Sequence, residues 1–276
     1  MKDVILAMNK PYDFVPFLKC EEYKERGELK GEIQLRIKTL TPIHIFSGRY
    51  NVIDNKTIYK TFIRVNGRVI IPGTSFKGCV RSIAEAISYS CLSPSSKLDR
   101  RKLVEKRHSK DKRCIICDMF GSMGFKSKIQ ISDFVMKSGN IDIKPFPPSY
   151  SPNSDSPYYL DENGKYKGHK FYKHGLNIQP IQDGIYHEIV MKDAEFVGKI
   201  LYKNLTEEQV QLLCFSLGLS GDINPKIGFG KSYNLGSIKV LAEDKWVKKA
   251  IEYKNMDKKD IKRNIEKLIE ILKYKE

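Results

Sequence analysis

Residues 61–88 read TFIRVNGRVIIPGTSFKGCVRSIAEAIS and predict a β-hairpin followed directly by an α-helix. Asn66-Gly67, the dipeptide that best marks a tight hairpin turn, separates the runs TFIRV and RVII. We expect Thr74 or Ser75 to cap the helix that follows. Beyond them, apolar residues recur at the spacing of one buried helical face: Phe76, Cys79, Val80, Ile83, Ala84 and Ile87.

The remaining segments predict an α+β fold. Ile33, Leu35 and Ile37 alternate with polar residues, as in a half-buried strand, and KIQISDFV (128–135) and EFVGKILY (195–202) are further strands. Thr206 and Gln209 form a capping-box pair at the start of a second helix, and a last strand ends IGFGKSYNLGSIKV (227–240). This order is close to the split βαβ, ferredoxin-like pattern, which is the framework of RNA-recognition modules.

Segments outside this core divide the chain. Residues 1–30 read as an N-terminal arm, residues 31–242 as the main domain, and residues 243–276 as a C-terminal helix. Two insertions are expected within the main domain, at about 91–127 and at 138–190, where prolines, tyrosines and turn residues are frequent. The apolar residues of the C-terminal helix are Ile261, Ile265, Leu268, Ile269 and Leu272.

The composition favours a cytoplasmic protein with a polyanionic partner. In a chain of 276 residues, 49 Lys and Arg against 33 Asp and Glu give a net charge of +16. Nucleic acid is the commonest partner of such a surface, whereas a Lys-rich proteome is the alternative explanation. The sequence contains no run that could span a membrane and no signal peptide, and its six cysteines are too few for a secreted disulfide scaffold.

Two segments predict phosphate contacts. In the loop Lys226–Gly236, Gly228 and Gly230 let backbone amides approach a phosphate, Lys226 and Lys231 would neutralise it, and Phe229 could stack on a base. An ordinary glycine-rich hairpin is the alternative.

At the start of the helix after Pro72, Lys77 and Arg81 lie four residues apart near the positive end of the helix dipole, where a phosphate would be held. The alternative is a core helix with two solvated cations. We expect both segments to meet on one cationic groove.

A cysteine-rich segment predicts a structural zinc site. Cys114 and Cys117 form a C-x-x-C pair that places two sulfurs on one metal, and His108 and Cys91 would complete a tetrahedral set. Buried free thiols and a redox pair are the alternatives.

Two further segments carry candidate chemistry. The loop 47–60 contains Arg49, a candidate RNA ligand, and Asp54, which could orient Mg²⁺ for cleavage but has the sequence context of a turn residue. The segment GHKFYKH (168–174) contains Lys170 between two histidines and favours stacking and phosphate contact. A metal-independent cleavage site would use His44, His169 or His174.

Six segments follow one another in this order: TPIHIFSG, IPGTSFKGCVRS, CIICDMFGS, KIQISDF, FVGKILYKNLT and IGFGKSYNLGSIKV. With these segments, residues 31–242 resemble the RAMP superfamily, the repeat-associated proteins of CRISPR systems. PYDFVP and GHKFYKH are most similar to subunits of type III (Csm/Cmr-like) effector complexes. The resemblance implies a modified RRM-like domain that binds guide RNA, or a guide–target duplex, and stacks with sister subunits.

The resemblance also implies roles for residues. The helix after IPGTS and the glycine-rich loop contact the RNA backbone in the family, which points to Ser75, Lys77, Arg81 and residues 228–231. Zinc is held in some backbone subunits by a segment corresponding to His108, Cys114 and Cys117.

The sequence departs from the family at the position of the catalytic Asp in target-cleaving subunits. In this sequence the position that corresponds to the catalytic Asp falls near Tyr59 and Lys60, which are not acidic. Asp54 lies in the same loop but is out of register with that position. We therefore expect an RNA-binding subunit; a Mg²⁺-dependent endoribonuclease that cleaves target RNA and a metal-independent endoribonuclease that processes CRISPR RNA are the alternatives.

Overall fold

The computed structural model describes residues 10–54, 56–92, 100–103, 112–148, 156–175 and 184–275. Its strands are β1 (Tyr12–Val15), β2 (Leu29–Thr39), β3 (Phe46–Ile53), β4 (Thr57–Phe62), β5 (Arg64–Val65), β6 (Arg68–Ile71), β7 (Ile129–Ile131), β8 (Phe134–Ser138), β9 (Ile141–Phe146), β10 (His169–Tyr172), β11 (Ile185–Val190), β12 (Glu195–Leu205) and β13 (Ile238–Leu241). Its α-helices are α1 (Gly73–Ala86), α2 (Ile115–Phe120), α3 (Glu207–Ser216), α4 (Asp244–Lys254) and α5 (Lys259–Leu272).

The main sheet has the order β13-β2-β12-β8-β6-β5, and β7 pairs with β12. If β2, β8, β12 and β13 are counted as core strands one to four, their order is four, one, three, two, and each neighbouring pair is antiparallel. Helix α1 links the first two core strands and α3 links the last two. This is the split βαβ arrangement, so the predicted ferredoxin-like α+β class with a C-terminal helix is confirmed.

Local sequence signals account for the elements of this core. Ile33, Leu35 and Ile37 of β2 are buried while the residues between them face solvent. Asn66 and Gly67 both have positive φ, which closes the β5–β6 turn. The capping box predicted at the start of α3 is present.

The predicted cap of α1 is wrong. The helix begins at Gly73, directly after Pro72, and Thr74 and Ser75 are exposed side chains that make no capping hydrogen bond. The Gly73 N–H instead donates to Oδ1 of Asp133, at 2.8 Å. Asp133 lies in the gap that divides the predicted strand KIQISDFV into β7 and β8, so a side chain distant in sequence caps the helix.

Segments between the core strands form a second sheet of order β3-β4-β11-β9, in which β4 and β11 are parallel. Strands β9, β10 and β11 all lie within the predicted insertion 138–190. The parts of this insertion at 149–155 and 176–183 lie outside the described residues.

The predicted arm pairs through β1 with β10. Helix α5 holds it in place, because Asn264 Nδ2 donates to the carbonyl oxygen of Pro16 at 2.7 Å and Lys267 forms an ion pair with Asp13 at 2.9 Å. Segment 243–276 therefore contains two helices, of which α5 carries the predicted apolar face and contacts the arm. Among the helices described, none has the length and apolar character needed to cross a membrane.

Candidate nucleic-acid interface

Three predicted RNA ligands meet at one cavity of about 130 Å³ between α1, β10 and the glycine-rich loop. They are Lys170, Lys226 and Lys231. The other lining residues are Cys79, Ser82, Ile83, Phe171, Tyr172 and Leu272, so none of the described residues that line the cavity is acidic. Three ammonium groups with no carboxylate among these lining residues create a positive potential that attracts an anion.

Lys226 is the most buried of these lysines, with 5% of its surface exposed. Its Nζ donates to the carbonyl oxygens of Lys173, at 2.9 Å, and Lys231, at 2.7 Å. Burial, and then the charge of Lys231, lower the pKa of Lys226 to about 8. The ammonium is thus charged at neutral pH while its described partners are neutral carbonyls, so an anion in the cavity would stabilise it.

Lys170 sits in a cage of aromatic rings. Its Nζ lies 4.0 Å from the ring centroid of Tyr12, 4.9 Å from that of Tyr159 and 4.8 Å from that of Tyr172. It also donates to the Tyr159 hydroxyl at 2.6 Å. Cation–π attraction keeps the charge in place at the edge of the cavity, and Tyr12 makes the N-terminal arm part of that site.

The glycines of the loop are needed for close packing. Gly228 has φ 80°, and a Cβ there would lie 2.2 Å from the carbonyl oxygen of His44. Gly230 has φ 72°, and a Cβ would lie 2.5 Å from Leu235 Cδ1. The Phe229 N–H donates to the His44 carbonyl at 2.9 Å. The loop is thereby fixed against the second sheet, with Lys231 opening a short 3₁₀ turn beside the cavity.

Phe229 already stacks on a protein ring. Its centroid lies 4.3 Å from that of His187, with 13° between the planes, and 6.0 Å from that of His44. His187 lies in no sequence motif that would have identified it as part of this site. Nδ1 of His187 faces the Ile185 carbonyl at 2.7 Å, and Nδ1 of His44 faces the Glu188 carbonyl at 2.6 Å, so each Nδ1 carries the proton.

Burial lowers the pKa of His187 to about 4 and also lowers the pKa of His44. Both imidazoles are therefore neutral at pH 7, and their Nε2 atoms are buried and unpaired among the described residues. Neutral imidazoles cannot supply the protonated acid that a histidine pair would need for metal-independent cleavage.

The structure does not bring Lys77 and Arg81 to the cavity. Lys77 Nζ donates to Ser127 Oγ at 2.7 Å, and Arg81 pairs with Glu85 at 2.7 Å and donates to the Gly121 carbonyl at 3.0 Å. Both side chains lie across α1 from the cavity-lining positions 79, 82 and 83. The expected single groove joining Lys77 to Lys231 is therefore not formed.

Other predicted residues are dispersed. Ser75 is exposed at the start of α1, and Arg49 is exposed on β3. Asp54, exposed with φ 51°, occupies the turn between β3 and β4. His169 packs on Phe17, with ring centroids 4.9 Å apart.

His174 is bound on both nitrogens: Nδ1 contacts Ser237 Oγ at 2.8 Å, and Nε2 lies 3.0 Å from the carbonyls of Asn224 and Leu272. Burial lowers its pKa to about 4. This arrangement gives His174 a role in joining the segment after β10 to the C-terminal helix.

Three predicted zinc ligands form a compact cluster on the side of α1 that carries Arg81, opposite the lysine cavity. The sulfur atoms of Cys91, Cys114 and Cys117 all lie within 4.8 Å of one another. Cys91 Sγ lies 3.4 Å from Cys117 Sγ and 3.7 Å from Cys114 Sγ. Hydrogen bonds from Cys117 and Cys91 lower the pKa of Cys114. His108, the fourth predicted ligand, lies outside the described residues.

Comparison with protein families gives a match over most of the chain. The model of the RAMP superfamily matches residues 36–239, from the last part of β2 to the start of β13, and thus includes α1, α3, β8, β12 and the glycine-rich loop. No curated protein matches the chain. The RAMP superfamily is associated with the RNA-binding complexes of CRISPR–Cas systems. With about three quarters of its length matched, this chain belongs to the RAMP superfamily.

Proposed function

We propose that the chain is an RNA-binding subunit of a type III CRISPR–Cas effector complex, that it acts in the cytoplasm in antiviral defence, and that it contacts guide RNA, target RNA and other subunits. The observation that carries the proposal is the convergence of Lys170, Lys226 and Lys231 on one cavity whose lining, in the part of the chain that the structure describes, contains no carboxylate. Family membership and the net charge of +16 support it.

The cavity would hold the RNA through its phosphates. Lys231 is half-exposed and can pair directly with a phosphate, while buried Lys226 adds charge behind it. Contacts of this kind position the strand without reading its sequence, because every nucleotide carries the same phosphate. Such binding weakens as salt rises, since bound cations are released from the RNA.

The test is Lys231→Ala in the full chain, with single-stranded RNA binding measured over a range of salt concentrations. We expect the slope of log K against log salt to fall by about 0.7, which is about fivefold weaker binding at about 0.1 M salt. Lys239→Ala is the matched control, because Lys239 is exposed on β13, outside the cavity lining. Unchanged binding by Lys231→Ala would place the RNA elsewhere.

The geometry supports binding better than cleavage. A Mg²⁺-dependent endoribonuclease would rest on Asp54, an exposed turn residue, and metal-independent processing would rest on His44, His169 or His174, which lie at separate places. Incubation of RNA with Mg²⁺ and with EDTA measures both activities. Cleavage lost in Asp54→Ala, or cleavage in EDTA lost in a histidine variant, would contradict a purely binding role.

We further propose that Cys91, Cys114 and Cys117 hold a structural zinc ion, with His108 as the fourth ligand. Three mutually close thiols are a donor set that suits Zn²⁺, which takes thiolate and imidazole ligands in tetrahedral sites. Bound zinc would tie the segment after α1 to α2 and hold as thiolates the sulfurs of half-buried Cys91 and buried Cys114 and Cys117.

Metal analysis of the purified chain tests this site. We expect about one zinc ion per chain, lost in Cys114→Ser and retained in Cys214→Ser, because Cys214 is a separate buried thiol on α3. Zinc-free protein with three free thiols would support the thiol alternative, and a disulfide between Cys91 and Cys117 would support the redox alternative.

A further inference from the structure

The hairpin of β3 and β4 carries one unusual face. Opposed residues of antiparallel strands share a face, and the pairs here are Phe46 with Phe62, Tyr50 with Lys60, and Val52 with Ile58. We call these six residues the hairpin face. Among the described residues, β4 pairs with β11 at Tyr59 and Lys60. The part of the β3–β4 hairpin nearer its turn therefore extends beyond β11.

Four of the six residues of the hairpin face are large apolar or aromatic side chains that are exposed, whereas Phe62 is buried and Lys60 is half-buried. The exposed fraction is 40% for Phe46, 61% for Tyr50, 49% for Val52 and 61% for Ile58. Contiguous exposed apolar residues on a soluble protein mark an interaction site, whereas scattered ones do not. The exposed part of the face is thus a candidate interaction site.

The rings of the hairpin face are ordered around a cation. The centroids of Phe46 and Tyr50 lie 5.4 Å apart in an edge-to-face contact, and Lys60 Nζ lies 5.6 Å from the Phe46 ring. Residues 46–62 contain Arg49, Lys56 and Lys60 against the single acid Asp54. This positive charge suits a polyanion better than it suits a second copy of the same basic chain.

Exposed aromatic rings next to cations match the two parts of a nucleotide, the base and the phosphate. Any base can stack on an aromatic ring, so the recognition tolerates all sequences. We propose that the hairpin face is a stacking platform for unpaired nucleobases of RNA, with Tyr50 as the main ring and Lys60 as a phosphate ligand. This inference rests on the proposed function and extends the RNA path beyond the lysine cavity.

Ring contacts connect the platform to the glycine-rich loop. Phe46 lies 6.3 Å from His44, and His44 lies 6.0 Å from Phe229, which immediately precedes Gly230 and Lys231. The buried pair His44 and His187 therefore lies between Phe46 and the glycine-rich loop. In the proposed path the RNA strand runs from Lys231 along these rings to the hairpin face.

The experiment measures binding of the full chain to an unstructured, adenine-rich RNA oligonucleotide and to the same oligonucleotide made with abasic ribose units. Tyr50→Ala should weaken binding to the intact RNA by about tenfold, without changing the salt slope, since stacking releases no counterion. It should not weaken binding to the abasic RNA. Tyr50→Phe should restore binding, and Tyr59→Ala, which removes a ring from the opposite side of β4, should have little effect.

Several outcomes would overturn the platform. Equal weakening on intact and abasic RNA would show that Tyr50 does not stack on bases. A change in oligomeric state in Tyr50→Ala, seen by light scattering, would assign the face to a second copy of the chain. Normal binding by Tyr50→Ala while Lys231→Ala binds weakly would overturn the platform and leave the lysine cavity standing. No RNA binding by the unaltered chain would overturn both.

Discussion

Lys226 offers a direct test of the lysine cavity through the pH dependence of stability. The perturbation is Lys226→Met, which keeps the length of the side chain and removes the buried ammonium. Because burial lowers the pKa of Lys226 to about 8, the folded chain holds this proton less tightly than the unfolded chain, where a lysine has a pKa of about 10.4. Between these two pKa values the unfolded state binds more protons, so the stability of the natural chain rises with pH.

The magnitude follows from the pKa difference. A pKa difference of one unit between the folded and unfolded states changes the free energy of unfolding by about 1.4 kcal/mol. For Lys226, the change in the free energy of unfolding between about pH 7 and about pH 9.5 is about 2 kcal/mol. The natural chain should gain this much relative to Lys226→Met over that window. Loss of the hydrogen bonds to the Lys173 and Lys231 carbonyls changes the free energy of unfolding of the variant by the same amount at every pH. It therefore does not alter the slope of the free energy of unfolding against pH.

Urea denaturation of both proteins at several pH values measures the free energy of unfolding. The same pair should differ in RNA binding, because a phosphate in the cavity raises the pKa of Lys226 and its binding takes up a proton above about pH 8. A difference in unfolding free energy between the two proteins that stays constant with pH would refute the buried ammonium. RNA binding with the same pH dependence in both would refute its role in holding phosphate.

Further predictions concern the stability of the glycine-rich loop and of the fold, and urea denaturation checks each of them. Gly228→Ala should lower the free energy of unfolding by more than about 2 kcal/mol, because φ is 80° and the new Cβ would clash with the carbonyl oxygen of His44. Gly221→Ala is the control: φ is also 80° but the space around it is open, so the loss should be about 1–2 kcal/mol. Thr206→Ala should cost about 1 kcal/mol by removing the capping box of α3, and an unchanged midpoint would contradict this. Asp118→Ala should cost about 3–5 kcal/mol, because this buried carboxylate pairs with Lys128 at 2.6 Å; a cost below about 1 kcal/mol would show that the pair contributes little.

Local sequence signals predicted the core of the fold. Alternation in β2, the Asn66-Gly67 turn and the capping box at Thr206 each depend on residues that are close in sequence, so they could be recognised without the structure. The cap of α1 could not, because Asp133 comes from a strand gap about sixty residues away. The pairing of β4 with β11 is also long-range and has no local signal.

The site was predicted in part for the same reason. The glycine-rich loop was recognisable as a cationic element, and three of the predicted lysines do meet. Spacing along α1 showed that Lys77 and Arg81 share a face, but it could not show that this face contacts the segment around Ser127 and Gly121. The aromatic cage of Lys170 requires Tyr12, which lies far from it in sequence, as well as Tyr159 in the preceding loop.

The pairing of β1 with β10 and its attachment to α5 impose an order on synthesis. The ribosome makes β1 long before either of its partners, so this strand emerges with its backbone groups unpaired. It can pair with β10 only after residues 169–172 have left the exit tunnel, its attachment to α5 waits for residues 259–272, and closing such long loops is slow. During translation the nascent chain therefore carries an unpaired strand edge, which is a potential binding site for a chaperone.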